Sequence, residues 1–156
     1  MVGRIAPVQL ALRSAVAATL SIGLARLAGF PFPIYAMIAA VIVMDLSPAR
    51  TRRLAWQRVV GTVLGAAIGA ALSLVGPGGW VIFLGIAAAM MACVALGLED
   101  AAKLAGYVAA IVLLDHTATP WSYAAWRLAE TLLGIAVAVG VSAVPRLVRG
   151  APAEKA

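Results

Sequence analysis

The sequence has few of the side chains on which enzymes and metal proteins usually depend. Its 156 residues include one cysteine, Cys93, and one histidine. Neither an intrachain disulfide nor a cysteine-based or two-histidine metal site can therefore form. The motifs HExxH, CxxC and GxSxG do not occur. We expect no catalytic residue, no metal, no cofactor and no enzymatic activity.

Charge is also scarce, at 12% of the residues, whereas 64% are hydrophobic and the mean hydropathy is +1.04. Soluble domains are roughly 45 to 50% apolar, and a globule of this length could not bury so much apolar surface. The net charge of +6 does not indicate nucleic acid, because the basic residues are scattered between apolar runs. The composition predicts a protein whose main partner is the lipid bilayer.

Apolar runs separated by glycine, proline and charged residues predict the transmembrane helices. A β-barrel would need alternating polarity, which these runs lack, so the fold class is all-α and polytopic. One transmembrane domain would cover residues 1–156, with a short cytoplasmic tail at 145–156. The six predicted helices span residues 9–27, 34–46, 59–75, 80–98, 104–114 and 128–144.

The loops between these runs differ in charge. Most basic residues fall on one side of the membrane, and only Arg26 and Arg127 lie near the other. The positive-inside rule then predicts that both termini are cytoplasmic. The membrane is expected to be the inner membrane of the cell. The basic residues of the cytoplasmic side are Arg4, Arg50, Arg52, Arg53, Arg58, Lys103, Arg146, Arg149 and Lys155.

The two halves of the chain resemble each other. A shift of 69 residues aligns the segment that begins at Arg58 with the one that begins at Arg127, and a shift of 70 aligns Asp45 with Asp115. Three helices per half would make the second half enter the membrane from the opposite face, as in many transporters. We predict a six-helix bundle built as a 3+3 inverted repeat, with halves at about 9–75 and 80–144. Chance similarity between Ala- and Val-rich helices is the alternative.

Small residues recur every fourth position in the third and sixth helices. Such stripes let helix backbones approach closely, which drives helix association in lipid. We therefore predict a helix-packing role for these residues. They are Gly61, Gly65, Gly69 and Ser73 in the third helix and Gly134, Ala138 and Ser142 in the sixth.

Charged residues within or beside the apolar runs are the candidates for function. Asp45 and Asp115 end two short helices at matched positions, which in transporters points to the binding site. Arg58 and Arg127 are candidates to pair with them or to hold an organic anion. Glu130 occupies the position of Gly61 in the repeat and is added to this substrate or proton pathway. The alternative is that both aspartates only end helices at the interface. Arg13 is expected to extend to water without a role in function.

The run of Arg58, Gly61, Thr62, Gly65 and Gly69, echoed at Arg127, Thr131 and Gly134, resembles the membrane module of the fusaric acid resistance and aromatic acid exporter family. The resemblance extends over nearly the whole chain. It implies export of aromatic carboxylic acids. Many members carry a second membrane module, so the resemblance also implies pairing with another copy or with a partner subunit.

Two functions follow as hypotheses. The first is a secondary transporter that exports small aromatic or other organic acids, with Asp45 and Asp115 carrying protons and Arg58 and Arg127 attracting the anion. The second is a nontransporting membrane subunit or scaffold that joins a partner through its glycine-rich helix faces. A passive channel has less support, because no helix shows a repeat of charged or hydroxylated residues that would line a pore.

Overall fold

The computed structural model describes residues 5–115 and 119–144, and in these ranges the backbone forms six α-helices and no strand. The predicted all-helical fold is confirmed. The predicted tail at 145–156 lies outside the described residues. The helices are α1 (Ile5–Leu27), α2 (Ile34–Val43), α3 (Pro48–Leu72), α4 (Gly79–Ala95), α5 (Glu99–Asp115) and α6 (Pro120–Ala143), and a short 3-10 helix at Ser73–Val75 extends α3.

Three helical segments are long and apolar enough to cross a bilayer by themselves: Ala6–Leu27, Pro48–Val75 and Pro120–Ala143. α2 and α4 are apolar but shorter. The ten residues of α2 extend about 15 Å at 1.5 Å per residue, against a hydrocarbon core of about 30 Å. The chain is thus a multi-pass membrane protein, although only three of the six predicted spans have the full length.

Three predicted loops prove to be helical. α3 begins at Pro48 and α6 at Pro120, whereas the hydropathy placed both starts about ten residues later. Proline suits the first helical position, where its missing N–H needs no partner, and Ser47 Oγ accepts the N–H of Arg50 at 3.4 Å in the same turn. α5 begins at Glu99 because acidic residues favour a helix N-terminus, so α5 has 17 residues and is not as short as expected.

The chain forms two compact units, and the boundaries between them fall within α3 and within α6. One unit contains Met1–Trp56 and Glu130–Ala156, and the other contains Gln57–Ala129. In the first unit α1 packs against α2, and in the second α4 packs against α5. Cys93 is fully buried in the alanine-rich core of the second unit, as a small apolar residue would be.

The glycines of α3 lie against α5 in the second unit. A Cβ atom added to Gly69 would lie 2.9 Å from the carbonyl oxygen of Ala109, and one added to Gly65 would overlap the carbonyl oxygen of Ala105. Gly61 meets Ala101 in the same way, at 2.9 Å. The two helix backbones are therefore in direct contact, which only glycine permits at these positions.

A matching contact exists in the first unit, where Gly134 of α6 lies against Ala36 and Ala39 of α2. Gly134 follows Gly65 by 69 residues, the shift that aligns Arg58 with Arg127. Ala36 precedes Ala105 by 69 residues, one fewer than the shift that aligns Asp45 with Asp115. The two packing contacts therefore lie at similar but not identical positions of the two sequence segments. Further along the predicted stripes Ala138 is buried, and the hydroxyls of Ser73 and Ser142 donate to carbonyl oxygens one turn earlier in the chain, at 2.7 and 2.8 Å.

The Gly65→Ala and Gly134→Ala variants should each lower stability by about 1 to 3 kcal/mol, because an added methyl group must push two helix backbones apart. Gly140→Ala is the matched control in α6, since nothing lies within 4 Å of its added Cβ atom. Thermal unfolding of the purified protein in detergent measures the effect. Equal midpoints for all three variants would contradict the close contacts.

Candidate functional site: a buried arginine with an open edge

Arg58 lies inside a membrane-spanning helix and not at its end. It is ten residues, or about 15 Å, from the first residue of a 28-residue segment of about 42 Å. That segment exceeds a hydrocarbon core of about 30 Å by about 12 Å. Arg58 therefore lies well inside a segment that is long and apolar enough to cross a bilayer. Its side chain is only 2% exposed.

Tyr107 of α5 holds one end of the Arg58 guanidinium. Arg58 Nη1 donates a hydrogen bond to the phenolic oxygen of Tyr107. The central carbon of the guanidinium also lies 5.6 Å from the centroid of the Tyr107 ring, within the range of a cation–π interaction. These two contacts fix the plane of the guanidinium relative to α5.

The opposite edge of the same guanidinium has no hydrogen-bond partner. Arg58 Nε and Nη2 are buried and have no hydrogen-bond partner. These two nitrogens form the edge with which arginine grips a carboxylate through two parallel hydrogen bonds. No carboxylate among the described side chains contacts Arg58. A buried cation without a counter-charge is costly, so this edge is suited to an anionic ligand.

Arg127 of α6 lies in the same unit and near enough to Arg58 for their charges to repel. It is 1% exposed and about 10 Å along α6 from Pro120, so it also lies inside a helix that is long and apolar enough to cross a bilayer. Two like charges held together in a low dielectric destabilise each other. An anion bound near both would relieve this repulsion.

Thr62 extends the polar surface of α3 by one turn beyond Arg58, on the same helix face. Its side chain is fully buried, and its hydroxyl has no hydrogen-bond partner. It lines a groove of about 240 Å³ whose other walls are apolar. The remaining lining residues are Val63, Ala66, Ala67, Trp121, Ala124, Ala125 and Leu128.

Glu130 lies in the first unit, close to the middle of α6, and is fully buried. One carboxylate oxygen accepts the backbone N–H of Phe32 at 2.7 Å. Phe32 precedes α2, whose N-cap residue Pro33 makes no side-chain capping bond. The carboxylate therefore lies at the positive end of the α2 dipole and ties α6 to the start of α2.

Asp45 organises the turn between α2 and α3. Its carboxylate pairs with Arg50 Nε at 3.3 Å and accepts the N–H of Ser47 at 3.0 Å, while its own N–H donates to the hydroxyl of Thr51. These contacts make Asp45 part of the cap of α3. Asp115 is the last residue of α5, and its side chain lies outside the described part of the structure.

Arg13 does not extend to water, so that expectation is wrong. It is buried in the first unit, where Nη1 donates to the carbonyl oxygen of Leu46 at 3.2 Å and Nη2 to that of Val144 at 2.8 Å. These carbonyls follow the ends of α2 and α6. A cation suits the negative ends of two helix dipoles.

Sequence reasoning missed Tyr107, Thr62 and Trp121 as site residues. Thr131 occupies the position of Thr62 in the 69-residue alignment, and the hydroxyls of both are buried without a hydrogen-bond partner. The alignment alone could therefore have marked Thr62 as a candidate residue. No feature of the sequence marked Tyr107 as a candidate, because its pairing with Arg58 depends on how α3 and α5 pack. Trp121 lies close to a predicted helix start, where a tryptophan indicates only an anchor at the membrane interface.

A family model described as fusaric acid resistance protein-like matches residues 20–141. That range contains the whole of α2 to α5, most of α6 and the last eight residues of α1. It also includes Arg58, Thr62, Tyr107, Arg127 and Glu130. No curated protein and no solved structure gives a significant match. The resemblance predicted from the sequence is confirmed.

Proposed function

Because the chain belongs to the fusaric acid resistance protein-like family, we propose that it is a secondary transporter that exports small aromatic or other organic acids. The unsatisfied Nε–Nη2 edge of the buried Arg58 is the observation that carries this proposal. A carboxylate bound there would make two charge-assisted hydrogen bonds and neutralise a charge that no carboxylate of the described side chains balances. Arg127 adds a second cation to attract the anion.

A transporter must also release its substrate, and the site is compatible with this requirement. Tyr107 leaves one edge of Arg58 open and keeps the guanidinium oriented when the anion departs. Because only part of the arginine is satisfied by the protein, binding is favourable without the anion becoming a permanent structural partner. In this proposal the protein lies in the inner membrane of the cell, and both of its termini are in the cytoplasm.

We propose that Glu130 carries the proton that is coupled to transport. A carboxylate near the centre of a membrane helix costs about 2.5 to 3.5 kcal/mol when charged, and protonation removes that cost. Protonation would also weaken the bond to the N–H of Phe32 and so loosen the start of α2. Asp45 already serves the turn beside α3, and its predicted role as a proton carrier is compared directly with that of Glu130 below.

The 3+3 inverted repeat is part of the same proposal. The contacts of Gly65 with Ala105 and of Gly134 with Ala36 support it, because exchange of the two halves converts the contact of α3 with α5 into that of α6 with α2. Halves that can exchange packing would give an inward-open and an outward-open state of similar energy.

The scaffold hypothesis loses its main argument. Gly61, Gly65 and Gly69 already contact α5 of their own chain, and Gly134 contacts α2. A second copy or a partner subunit would therefore have to bind through another surface. Association with such a partner remains compatible with transport.

Replacement of Arg58 by Gln should reduce the uptake of benzoate into proteoliposomes by about tenfold or more, because a charge-assisted pair is worth about 1.5 to 3 kcal/mol. Arg58→Lys should recover only part of the rate, since lysine keeps the charge without the planar two-donor edge. Arg52→Gln, an exposed change on the same helix, is the control. Transport at the parental rate by Arg58→Gln would refute the anion site.

The Glu130→Gln variant should exchange organic acids across the membrane at equilibrium but lose its response to an imposed pH gradient, because an amide cannot carry the proton. Asp45→Asn and Asp115→Asn are measured beside it. Gradient-driven uptake that persists in Glu130→Gln but disappears in Asp45→Asn would show that Asp45, and not Glu130, carries the coupled proton.

The inverted repeat predicts that the first turn of α3 and the first turn of α6 face opposite sides of the membrane. Single cysteines at Arg52 and at Ser122, in a Cys93→Ala background, should react with a membrane-impermeant maleimide from opposite sides of sealed vesicles. Labelling of both positions from the same side would rule out the inverted arrangement.

A further inference from the structure

We infer that the start of α3 binds the headgroup of an anionic phospholipid. The surface concerned consists of Arg52, Arg53 and Trp56, and we name it the α3 basic patch. All three side chains are exposed, the indole by 63%. The inference concerns contact with lipid, and it stands apart from the transport of an anion at Arg58.

The three residues of the patch lie on one face of α3. Arg52 and Arg53 precede Trp56 by four and three residues, so each lies one helical turn from the indole. The opposite face is turned inwards, because Thr51 is fully buried and Ala55 is only 7% exposed. The helix therefore presents two guanidinium groups and one indole together on its outer side.

The positive charge of this part of the chain is not balanced. The segment from Asp45 to Trp56 contains three arginines and one aspartate, a net charge of +2. Asp45 pairs with Arg50, and within residues 5–115 and 119–144 Arg52 has neither an ion pair nor a hydrogen bond from its side chain. The first turn of α3 contains no acidic residue that could offset this charge. An anion from outside the chain would supply the missing negative charge.

The position of the patch along α3 corresponds to the headgroup layer. The segment Pro48–Val75 is about 12 Å longer than a hydrocarbon core of about 30 Å, an excess of about eight residues. Charged residues enter hydrocarbon less readily than apolar ones, so this excess is best accommodated at the charged start of the segment. The arginines then lie beside the lipid phosphates, and Trp56 lies at the boundary where tryptophan is enriched.

An anionic phospholipid matches both parts of the patch. Its phosphate can accept charge-assisted hydrogen bonds from the two guanidinium groups, and the upper part of its acyl chains can contact the indole. Basic residues near a membrane surface attract anionic lipids in the same way. A free phosphate ion would leave the indole without a contact. Phosphatidylcholine also carries an ammonium group, which the arginines would repel.

Native mass spectrometry of the full chain in a neutral detergent measures this binding. Dioctanoyl phosphatidylglycerol, dioctanoyl phosphatidylcholine and inorganic phosphate are titrated separately into the parent protein. The parent should bind phosphatidylglycerol about tenfold or more tightly than phosphatidylcholine, because each basic residue near the headgroup contributes about a fivefold factor. Inorganic phosphate should bind more weakly than phosphatidylglycerol.

Variants locate the lipid on the molecule. The double variant with Arg52→Gln and Arg53→Gln should lose about tenfold or more of its affinity for phosphatidylglycerol. The matched control combines Arg26→Gln with Lys103→Gln, which removes two exposed charges elsewhere, and it should bind like the parent. Trp56→Ala should weaken the binding of phosphatidylglycerol but not that of inorganic phosphate.

A double variant with Arg52→Lys and Arg53→Lys separates lipid binding from folding. It keeps both charges, so it should bind phosphatidylglycerol more tightly than the glutamine pair even if the thermal unfolding of the two variants is the same. Equal loss of binding in the lysine and glutamine pairs would overturn the inference.

Three other results would also overturn it. The first is equal affinity of the parent for the two lipids. The second is the same loss in the matched control, which would show attraction to total charge and not to the patch. The third is binding of inorganic phosphate as tight as that of phosphatidylglycerol, with no effect of Trp56→Ala on either. Transport is not measured in these experiments, so failure of the exporter proposal would leave the lipid site unaffected.

Discussion

In a hydrocarbon layer no water is available to complete the hydrogen bonds of a buried polar group, and this constraint governs the placement of every charged side chain within the helices of this protein. Arg13 meets it with the carbonyl oxygens that follow α2 and α6. Glu130 meets it with the N–H of Phe32. Arg58 meets it only in part, because Tyr107 takes one nitrogen and two others remain open. Two nitrogens of Arg58 and one of Arg13, its Nε, thus remain buried without a hydrogen-bond partner.

The close packing of helices serves the same end. Gly65 allows α3 to lie directly on α5, and this contact brings the helix that carries Arg58 against the helix that carries Tyr107. A larger residue at Gly65 would move the arginine away from the phenol. The glycine stripe, which the sequence indicated as a packing feature, is therefore also a condition for the contact between Arg58 and Tyr107. Gly65 follows Arg58 by about two helical turns, so the packing residue and the arginine lie on the same face of α3.

The sequence was sufficient for the class of fold because hydropathy reports directly on the solvent that a segment prefers. Helix boundaries were less accurate, since the residues from Pro48 to Trp56 are polar and lie beyond the apolar run, although Ser47 followed by Pro48 is a good start signal. As a result Arg58 was placed at a helix end, when it lies about 15 Å inside the helix. For the site, Arg58 and Arg127 were found as charges within a repeat. Their proximity to each other, and the partner at Tyr107, depend on tertiary packing that no local pattern encodes.

The contacts of Arg13 have a consequence for how the protein is made. Its two acceptors, Leu46 and Val144, lie 33 and 131 residues later in the chain. When α1 first enters the membrane, neither acceptor has been inserted, and the guanidinium must remain near headgroups and water. The bond to Leu46 can form once α2 has been made, and the bond to Val144 only after α6 has been made. The hydrogen bonds of Arg13 in α1 are therefore complete only after α6 has been made.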